Sequence, residues 1–555
     1  MSVERQGQKN REQRIIELLK EITAVPSLSS TMLEKQAAPC VEGLLKGLAY
    51  FKENPGYCRS FSIPGELLER KIVYGLLRGE GKKTVVLMNH YDVVGIEDYG
   101  KAREYAFDID KLPKALEALE LKEDARKDLQ SGEWIFGRGA ADMKGGLAVS
   151  ISCLEAYSMQ EDRKGNLLFL SVPDEESYSV GMREAVKLLQ DLKEQYQLEY
   201  EFLIDPEPNN QTDGAHIIPV GTGGKCMPVV MVQGEKAHIS KCFDGLNPIG
   251  ILGEIFTRTE LSLEFSDLYD KELTVPPTWN YFKDMKAEYD VSIPIRACGY
   301  FSVISFTTTP DEILDKLRAI SAESFQAYVD KMKHIYTEYK AAYKHEMKNQ
   351  ILYEPRVMTY QELIQYCQNL YGAEFNRFYY SLYEEIKQKL RSNEINYPQA
   401  AIKMMEELLN YSGIRQPLVL LGFAPPYYQP VNSFNIKNKG NKAKQCFEAL
   451  REYADMKLQL KLETENYTPG LSDCSYVACE KSFDYQEFSE NIPLWGTLYD
   501  IDFKSIEELN IPFFIMGPYG KDYHQFTERV NKKSLCEELP RLMDFVIRYY
   551  LKEEL

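Results

Sequence analysis

The sequence predicts an α/β fold with a mixed, largely parallel sheet, into which an α+β domain enlarged by helices is inserted. In the first part of the chain, helical segments alternate with continuous apolar strands, which is typical of a largely parallel sheet. This pattern breaks off after Asp213 and resumes at about Pro430. We therefore expect one domain from residues 1–213 and 430–555 and an inserted domain from residues 214–429.

The first part of the chain gives these elements in order. REQRIIELLKEITAVPSL has helical spacing and predicts a helix that ends before Pro26, and a second helix is expected from Met32 to Phe51. KIVYGLLRG and KTVVLMNHYDVV predict strands joined by the turn GEGKK. A charged excursion from Ile96 to Gly132 is expected at the surface. The loop GRGAADMKGG then leads into a helix. It is followed by the strand NLLFLSVPDEES, the helix MREAVKLLQDLKEQY and the strand YEFLIDPEP.

The remaining elements follow the change of pattern. VVMVQGEKAHISK and GYFSVISFTTT predict strands of the inserted domain. Long helical stretches are expected from Pro310 to about Asn349 and from Thr359 to about Ser412, before the strand PLVLLGFAPPYY. The helix KAKQCFEALREYAD and the strand IPFFIMGP then restore the α/β pattern.

Composition argues against several classes of protein. The chain of 555 residues has 84 acids and 66 bases, a net charge of −18 and no basic stripe, so we expect no nucleic-acid partner. The N-terminus has no apolar signal region, and no apolar run approaches the roughly 20 residues that cross a bilayer, which predicts a cytoplasmic protein without a membrane partner. Eleven cysteines without CxxC pairs are expected to be reduced.

Histidines and acids fall at the ends of the predicted strands, where open α/β sheets bind ligands. They are His90 and Asp92, Asp142, Asp174 to Glu176, Asp205 and His524. Imidazoles mixed with carboxylates suit zinc, and a shared carboxylate permits two metals about 4 Å apart. Each motif alone also has an ordinary explanation: a core histidine beside an acid for His90, a turn residue for Asp142, a helix cap for Glu175 and Glu176, and a loop histidine for His524.

The ordered succession NHYDVV, GRGAADMKGG, PDEES, IDPEP, PGLSDCSY and GPYGKDYHQFTE resembles the co-catalytic zinc exopeptidase family. Its members include aminoacylase, acetylornithine deacetylase, succinyl-diaminopimelate desuccinylase and the glutamate carboxypeptidases. The length and the acidic, Tyr-rich insertion are most similar to its arginine-utilisation branch, called RocB. The resemblance implies a zinc-exopeptidase-type catalytic domain whose inserted domain is a lid.

The resemblance also implies roles for the strand-end residues. One zinc ion would be held by His90, Asp142 and Asp205, and a second by Asp142, Glu176 and His524. Asp142 would therefore bridge two Zn²⁺ ions per chain, with Co²⁺ or Mn²⁺ as alternative metals. Asp92 would orient His90, and Glu175 would be the general base that takes a proton from water.

Substrate residues are implied less directly. In the lid motif GEKAHISKCFDGLNP, His238 and Asn247 match the family, and His238 would reach a neighbouring active site in a homodimer formed through the lid; a surface histidine is the alternative. Ser472 and Asp473 match a loop near the substrate, although helix capping explains them equally. Cys242 replaces a frequent proline, and GYFSVISFTTTPDE lacks the lid arginine that often binds a substrate carboxylate.

These features predict a metal-dependent hydrolase that cleaves an amide bond in a small N-acyl amino acid, dipeptide or arginine-related metabolite. Two alternatives remain open at this point. One is a non-catalytic relative that binds a metabolite or partner, and the other is hydrolysis of a ureido or amidino compound. Fold and ligand type do not separate these reactions, because the choice of bond depends on the shape of the pocket.

Overall fold

The computed structural model describes residues 2–66, 68–343, 352–468, 470–480 and 483–551. The chain forms two compact units. Unit 1 comprises Met1–Thr222, Val431–Glu480 and Asp502–Leu555, and unit 2 comprises Gly223–Pro430 and Lys481–Ile501. The last of these segments lies in the part of the chain that the sequence assigned to the first domain.

Lys481–Ile501 belongs to unit 2 because its described residues are bonded to that unit. The backbone carbonyl of Asn491 accepts a hydrogen bond from the amide of Phe423 at 2.9 Å, and its side-chain oxygen accepts one from the amide of Gln361 at 3.1 Å. The ring of Phe488 also packs against Tyr427, with ring centres 4.5 Å apart. The sequence between two α/β motifs carries no signal of such long-range bonds.

The elements up to residue 222 belong to unit 1. The helices are α1 Ser2–Thr23, α2 Ala37–Gly47, α3 Ala49–Glu53, α4 Leu112–Leu116, α5 Glu123–Ser131, α6 Lys144–Ser158 and α7 Val180–Tyr196. The strands are β1 Cys58–Ser62, β2 Lys71–Leu77, β3 Lys83–His90, β4 Trp134–Phe136, β5 Asn166–Val172, β6 Glu199–Asp205, β7 Gln211–Thr212, β8 Ala215–Pro219 and β9 Gly221–Thr222.

Unit 2 contains most of the elements that follow. The strands are β10 Gly224–Gln233, β11 Leu268–Tyr269, β12 Glu272–Leu273, β13 Thr278–Asp284, β14 Arg296–Ser305, β15 Val357–Thr359 and β16 Leu418–Tyr428. The helices are α8 Pro248–Thr259, α9 Pro310–Tyr343, α10 Tyr360–Tyr371, α11 Ala373–Arg391 and α12 Tyr397–Ser412.

The remaining elements complete both units. The strands are β17 Val431–Asn432, β18 Leu462–Glu465, β19 Phe513–Ile515, β20 Gly520–Lys521 and β21 Arg529–Asn531. The helices are α13 Gly440–Tyr453, α14 Tyr485–Glu490, α15 Phe503–Leu509 and α16 Leu539–Leu551. Among these, α14 lies in unit 2 and the others lie in unit 1.

The central sheet of unit 1 has six strands in the order β1-β2-β5-β3-β6-β19. The pairs β5/β3, β3/β6 and β6/β19 are parallel, whereas β1/β2 and β2/β5 are antiparallel. Val85 and Leu87 of β3 face a core that includes residues of α1, α6 and α16, and the alternating Val86 and Met88 are buried as well. The predicted α/β class with a mixed, largely parallel sheet is therefore confirmed.

Unit 2 is built on a five-stranded sheet in the order β13-β14-β10-β16-β15, which is antiparallel except for the pair β15/β16. The predicted helical stretch after Thr359 consists of α10, α11 and α12. Gly372, with φ of 54°, separates the first two, and Asn396 caps the third, whose second residue is Pro398. The predicted helix end at Asn349 lies outside the described residues.

Two predictions for unit 1 need correction. The helix expected from Met32 to Phe51 is split into α2 and α3 because Leu48 has an extended backbone. The excursion from Ile96 to Gly132 is not purely a surface feature, since Tyr99 and Leu112 are fully buried in a small core of their own with Phe136. No helix among the described residues combines the length and apolar composition that a membrane crossing requires.

Candidate metal centre

Three neighbouring parallel strands of unit 1 end at the same edge of the sheet. β3 ends at His90, which lies opposite Val172, the last residue of β5. β6 ends at Asp205, which lies opposite Ile515 of β19. The segments that leave these strands carry Asp92, Glu175, Glu176 and Glu207, so the parallel sheet brings these acids together. Asp142 and His524 come from loops after β4 and β20, which belong to a separate antiparallel sheet of the order β20-β21-β4.

A first group of possible ligand atoms comes from His90, Asp142 and Glu207, and these atoms lie within 4.8 Å of one another. The Nε2 atom of His90 is 3.1 Å from Oε1 of Glu207 and 3.4 Å from Oδ1 of Asp142. His90 is buried, and its Nε2 atom makes no hydrogen bond within the described part of the chain. A buried nitrogen directed at two carboxylates fits a metal ion better than it fits an apolar core.

A second group comes from Asp142, Glu176 and His524. The Nε2 atom of His524 is 3.2 Å from Oδ2 of Asp142 and 3.1 Å from Oε2 of Glu176. The two carboxylate oxygens of Asp142 thus face different histidines. This arrangement can serve a pair of cations that share one carboxylate.

Asp92 supports both the histidine and the acidic loop. The Nδ1 atom of His90 lies 3.1 Å from the carbonyl oxygen of Asp92 and 3.5 Å from its Oδ1 atom. The carboxylate of Asp92 also accepts hydrogen bonds from the amides of Glu175 and Glu176, both at 3.2 Å. Burial alone would raise the pKa of Asp92, but its contacts with His90 and these amides lower it.

The acids of this centre lie close together and are largely shielded from water. Burial raises the pKa of Glu175 well above its ordinary value, and the charges of Glu207 and Asp473 add to this effect. Burial and the charge of Asp142 raise the pKa of Glu176 to about 7. Contacts with Asp142 and Glu176 raise the pKa of His524 to about 10. Cations bound among these crowded carboxylates would supply compensating positive charge.

Asp205 differs from its predicted role. Its Oδ2 atom accepts a hydrogen bond from the hydroxyl of Ser472 at 2.6 Å and lies 3.4 Å from the sulfur of Cys474. It belongs to neither group of possible ligands among the described residues, whereas Glu207, two residues further along, belongs to the first. The reason is local: Asp205 is still held in the β6/β19 pairing, whereas Glu207 follows the strand end.

The structure also places the predicted substrate residues. Ser472 and Asp473 are buried in unit 1; Ser472 contacts Asp205, and burial with the charges of Asp92 and Asp205 raises the pKa of Asp473 to about 8. In unit 2, the side chain of His238 is exposed and accepts a hydrogen bond from the amide of Ser240 at 3.2 Å. Asn247 likewise accepts from Ile249 at 3.1 Å and caps α8. Their roles toward a substrate remain predictions.

Glu528 is a buried residue that the sequence did not single out. Its Oε1 atom accepts hydrogen bonds from the amides of Ala141 and Asp142, at 3.1 and 3.2 Å. Its Oε2 atom accepts one from Arg138 at 2.6 Å. Glu528 therefore holds the loop of Asp142 from a position four residues after His524. The sequence feature that could have indicated Glu528 is its position in HQFTER, close to the candidate ligand His524.

Asp174 also has a supporting position and does not join either ligand group. Its Oδ1 atom lies 2.5 Å from Nη1 of Arg70, which in turn lies 3.0 Å from Oε2 of Glu34. Asp174 has a positive φ of 69° and accepts a hydrogen bond from the backbone amide of Val180 at 3.1 Å. It thus fixes the turn that presents Glu175 to the centre.

Comparison with known proteins gives a family match over most of the chain. Residues 104–550 match the family described as peptidase family M20/M25/M40. Protein RocB of Bacillus subtilis (strain 168) is 30% identical over 546 residues, which is 96% of this chain and 94% of that protein. A succinyl-diaminopimelate desuccinylase of Bradyrhizobium sp. (strain BTAi1 / ATCC BAA-1182) is 30% identical over 168 residues, or 30% of this chain and 42% of that protein.

Solved structures share the fold at low sequence identity. The dipeptidase Dug1p from Saccharomyces cerevisiae matches with a TM-score of 0.53 and 13% identity, over 99% of this chain and 98% of that one. The M20 family metallo-carboxypeptidase Sso-CP2 from Sulfolobus solfataricus matches with a TM-score of 0.52 and 13% identity, over 97% and 99%. At this identity the likeness establishes the fold alone.

Proposed function

The chain belongs to peptidase family M20/M25/M40, a family of metal-dependent peptidases and deacylases, and we propose that it hydrolyses an amide bond of a small N-acyl amino acid, dipeptide or arginine-related metabolite. The observation that carries this proposal is the position of Asp142, whose two carboxylate oxygens face His90 and His524. Glu175 lies beside them, with its Oε2 atom 4.0 Å from Nε2 of His90. A carboxylate beside two candidate metal positions supports a role for Glu175 as the proton acceptor.

The proposed centre holds two divalent metal ions, zinc by preference, with cobalt or manganese as alternatives. One would be held by His90, Asp142 and Glu207, and the other by Asp142, Glu176 and His524. When bound, such cations lower the pKa of water and polarise the carbonyl group of the amide. The ligand types are imidazole nitrogen and carboxylate oxygen, which suit zinc.

The protein's own residues would manage the proton. Glu175 accepts a proton from the attacking water and returns it to the nitrogen of the leaving amine. Asp92 keeps the Nδ1 side of His90 occupied, so that Nε2 is directed to the metal. It also fixes the backbone of Glu175 through an amide hydrogen bond of 3.2 Å. A general base on a fixed backbone is positioned for transfer to one substrate atom.

The substrate range and the alternatives follow from the family resemblance. Resemblance to the arginine-utilisation branch adds arginine-related metabolites to the substrate range and keeps a ureido or amidino compound as an alternative. A non-catalytic relative would have no need of Glu175, so the complete set of ligands and base favours an enzyme. We place the enzyme in the cytoplasm, with a small-molecule substrate and no nucleic-acid or membrane partner.

A homodimer through unit 2 is also part of the proposal. β13 is an edge strand that pairs only with β14 in the described sheet, and its Phe282 side chain is 41% exposed. A free strand edge with an exposed aromatic ring suits pairing with a second copy. Light scattering should therefore give twice the chain mass for the parent and a lower mass for Phe282→Glu. Equal masses for the two proteins would contradict this surface.

The activity is tested by turnover of zinc-loaded protein against N-acyl amino acids, dipeptides and arginine-pathway compounds, read by mass spectrometry. The parent and Glu194→Gln, which changes an exposed acid of α7, should cleave the same member of the panel. Glu175→Gln should lose turnover by a factor of about 100 or more, because general-base catalysis contributes this much. Its metal content should match the parent. Activity at parental level in Glu175→Gln would refute the role of this base.

A further inference from the structure

A cavity of about 1520 Å³ lies within unit 2, at one end of the five-stranded sheet. Its walls come from the end of β10, the start of β14, and the segments that precede β15 and β16. None of its lining residues belongs to the metal centre or to its supporting network. The cavity is therefore a separate feature of the fold that the proposed hydrolysis does not explain.

Three arginines line this cavity from the same end of the five-stranded sheet. Arg296 is the first residue of β14, Arg356 directly precedes β15, and Arg415 lies three residues before β16. The register pairs Gln233 with Arg296 on one side and with Leu418 on the other. β16 and β15 are neighbours, whereas β14 is separated from β16 by β10. With strands about 5 Å apart, the three arginines start from the same end of the sheet within about 15 Å, a span that long side chains can close around one ligand.

Gln233 fixes this arrangement from a buried position. Its Oε1 atom accepts hydrogen bonds from Nε and Nη2 of Arg296, at 3.1 and 2.9 Å. Its Nε2 atom donates to the carbonyl oxygens of Ile414 and Gln416, at 2.9 and 3.0 Å. These two residues flank Arg415. One amide therefore holds both the guanidinium of Arg296 and the loop of Arg415, which makes this a built site.

Arg296 is bonded to neutral groups, and its electrostatic surroundings are mixed. The third nitrogen of Arg296 donates to the neutral side-chain oxygen of Asn410 at 2.6 Å. Burial and the charge of Arg415 lower the pKa of Arg296, although Glu406 and Glu407 act in the opposite direction. Within the described part of the chain, no ion pair involves Arg296, Arg356 or Arg415.

The other charged groups in the walls have partners of their own or face water. Asp290 pairs with Lys236 and Lys286. Glu406 pairs with Lys403 at 3.0 Å, and Glu235 accepts a hydrogen bond from the hydroxyl of Tyr353 at 2.8 Å. Two further lining acids, Glu288 and Glu354, are exposed. In a chain with a net charge of −18, three guanidinium groups that line one cavity without an ion pair among the described residues favour an anionic ligand.

We propose that this cavity is a second ligand site, which binds a small organic dianion through carboxylate or phosphate oxygens held by Arg296, Arg356 and Arg415. Guanidinium groups bind both kinds of oxyanion in pairs of parallel hydrogen bonds. The exposed side chains of Ile295 and Leu352 give the cavity an apolar wall for the carbon part of the ligand. The site does not depend on the proposed hydrolysis.

The test is calorimetric titration of the full-length, metal-loaded protein at constant ionic strength, with succinate and inorganic phosphate as probes and chloride as the reference anion. We expect saturable binding of at least one probe. Arg356→Gln and Arg415→Gln should each weaken it by about tenfold or more, as expected when a bidentate contact is lost. Both side chains are only partly buried or exposed, so these variants should fold. Preference between the probes identifies the oxyanion as carboxylate or phosphate.

The matched control is Arg391→Gln, which removes an exposed arginine of α11 outside the cavity and should bind as the parent does. Three results would overturn the proposal. One is the absence of saturable binding by either probe. Another is binding that persists unchanged in both cavity variants, because it would then belong to another site such as the metal centre. The third is an equal loss in Arg391→Gln, which would indicate only a general effect of net charge.

Discussion

The Nε2 atom of His90 lies 3.1 Å from the Oε1 atom of Glu207, at the position where the sequence predicted Asp205. Both acids belong to the motif IDPEP, and both follow the apolar part of β6. Only Glu207 joins a ligand group, whereas Asp205 is bonded to Ser472. The identity of one metal ligand is therefore a question that a pair of substitutions can decide.

Glu207→Gln should lower the metal content of the purified protein and weaken metal binding by about tenfold or more, because an amide is a poor replacement for a carboxylate ligand. Asp205→Asn should keep the metal, since its partners are a hydroxyl and a thiol. For both variants, mass spectrometry measures the metal content, and competition with a chelator measures the metal affinity. Loss of metal in Asp205→Asn with retention in Glu207→Gln would restore the original assignment.

This difference marks the limit of what the sequence could predict. The apolar runs of β3, β5 and β6 predicted these strands, and parallel strands bring their ends together, so His90 and Glu176 could be grouped from sequence. Asp142 follows β4 of a separate antiparallel sheet, and only the resemblance of GRGAADMKGG to a family motif grouped it with them. The choice between Asp205 and Glu207 depends on where β6 leaves the sheet, and element ends are the least certain part of a pattern. The supporting role of Glu528 depends on a fold contact across 387 residues, which no local pattern contains.

The proposed bridging role of Asp142 leads to a second prediction. Because its two oxygens face His90 and His524 separately, Asp142→Asn should lose both metals together. Glu176 belongs to one group only, so Glu176→Gln should lose one metal and keep the other. Titration with Co²⁺, followed by its absorption spectrum, counts the sites in each variant. Two tightly bound ions in Asp142→Asn would refute the bridge.

Glu528 should determine metal affinity without touching the metal. In Glu528→Gln, the new NH₂ group must face either Arg138 or the amides of Ala141 and Asp142, all of which are donors. We expect the dissociation constant of the metal to rise by about 10- to 100-fold, the range for groups that orient ligands. The control is Glu80→Gln, which breaks an exposed ion pair with Lys164. Parental affinity in Glu528→Gln would show that this support is dispensable.

Asp267 should stabilise unit 2 in a pH-dependent manner. Its Oδ2 atom accepts hydrogen bonds from the amides of Phe306, Thr307 and Thr308, at 2.8, 2.7 and 2.7 Å. Burial alone would raise the pKa of Asp267, but the Thr308 hydroxyl and these amides lower it below its ordinary value. A lowered pKa in the folded state adds stability above the ordinary pKa of about 4, and this contribution is lost as the pH falls through the folded pKa.

Asp267→Asn should therefore lower the free energy of unfolding of unit 2 by about 2 kcal/mol at neutral pH, since bonds to a charged acceptor are replaced by neutral ones. The difference from the parent should stay constant between about pH 5 and 8 and shrink below about pH 4. Calorimetric unfolding of both proteins across this pH range measures the difference in free energy of unfolding. Asp270→Asn, in an exposed turn of the same unit, should change little because asparagine also tolerates the positive φ of 53° found there. If Asp267→Asn loses the same free energy of unfolding at every pH, including below about pH 4, Asp267 acts through packing and not through its charge.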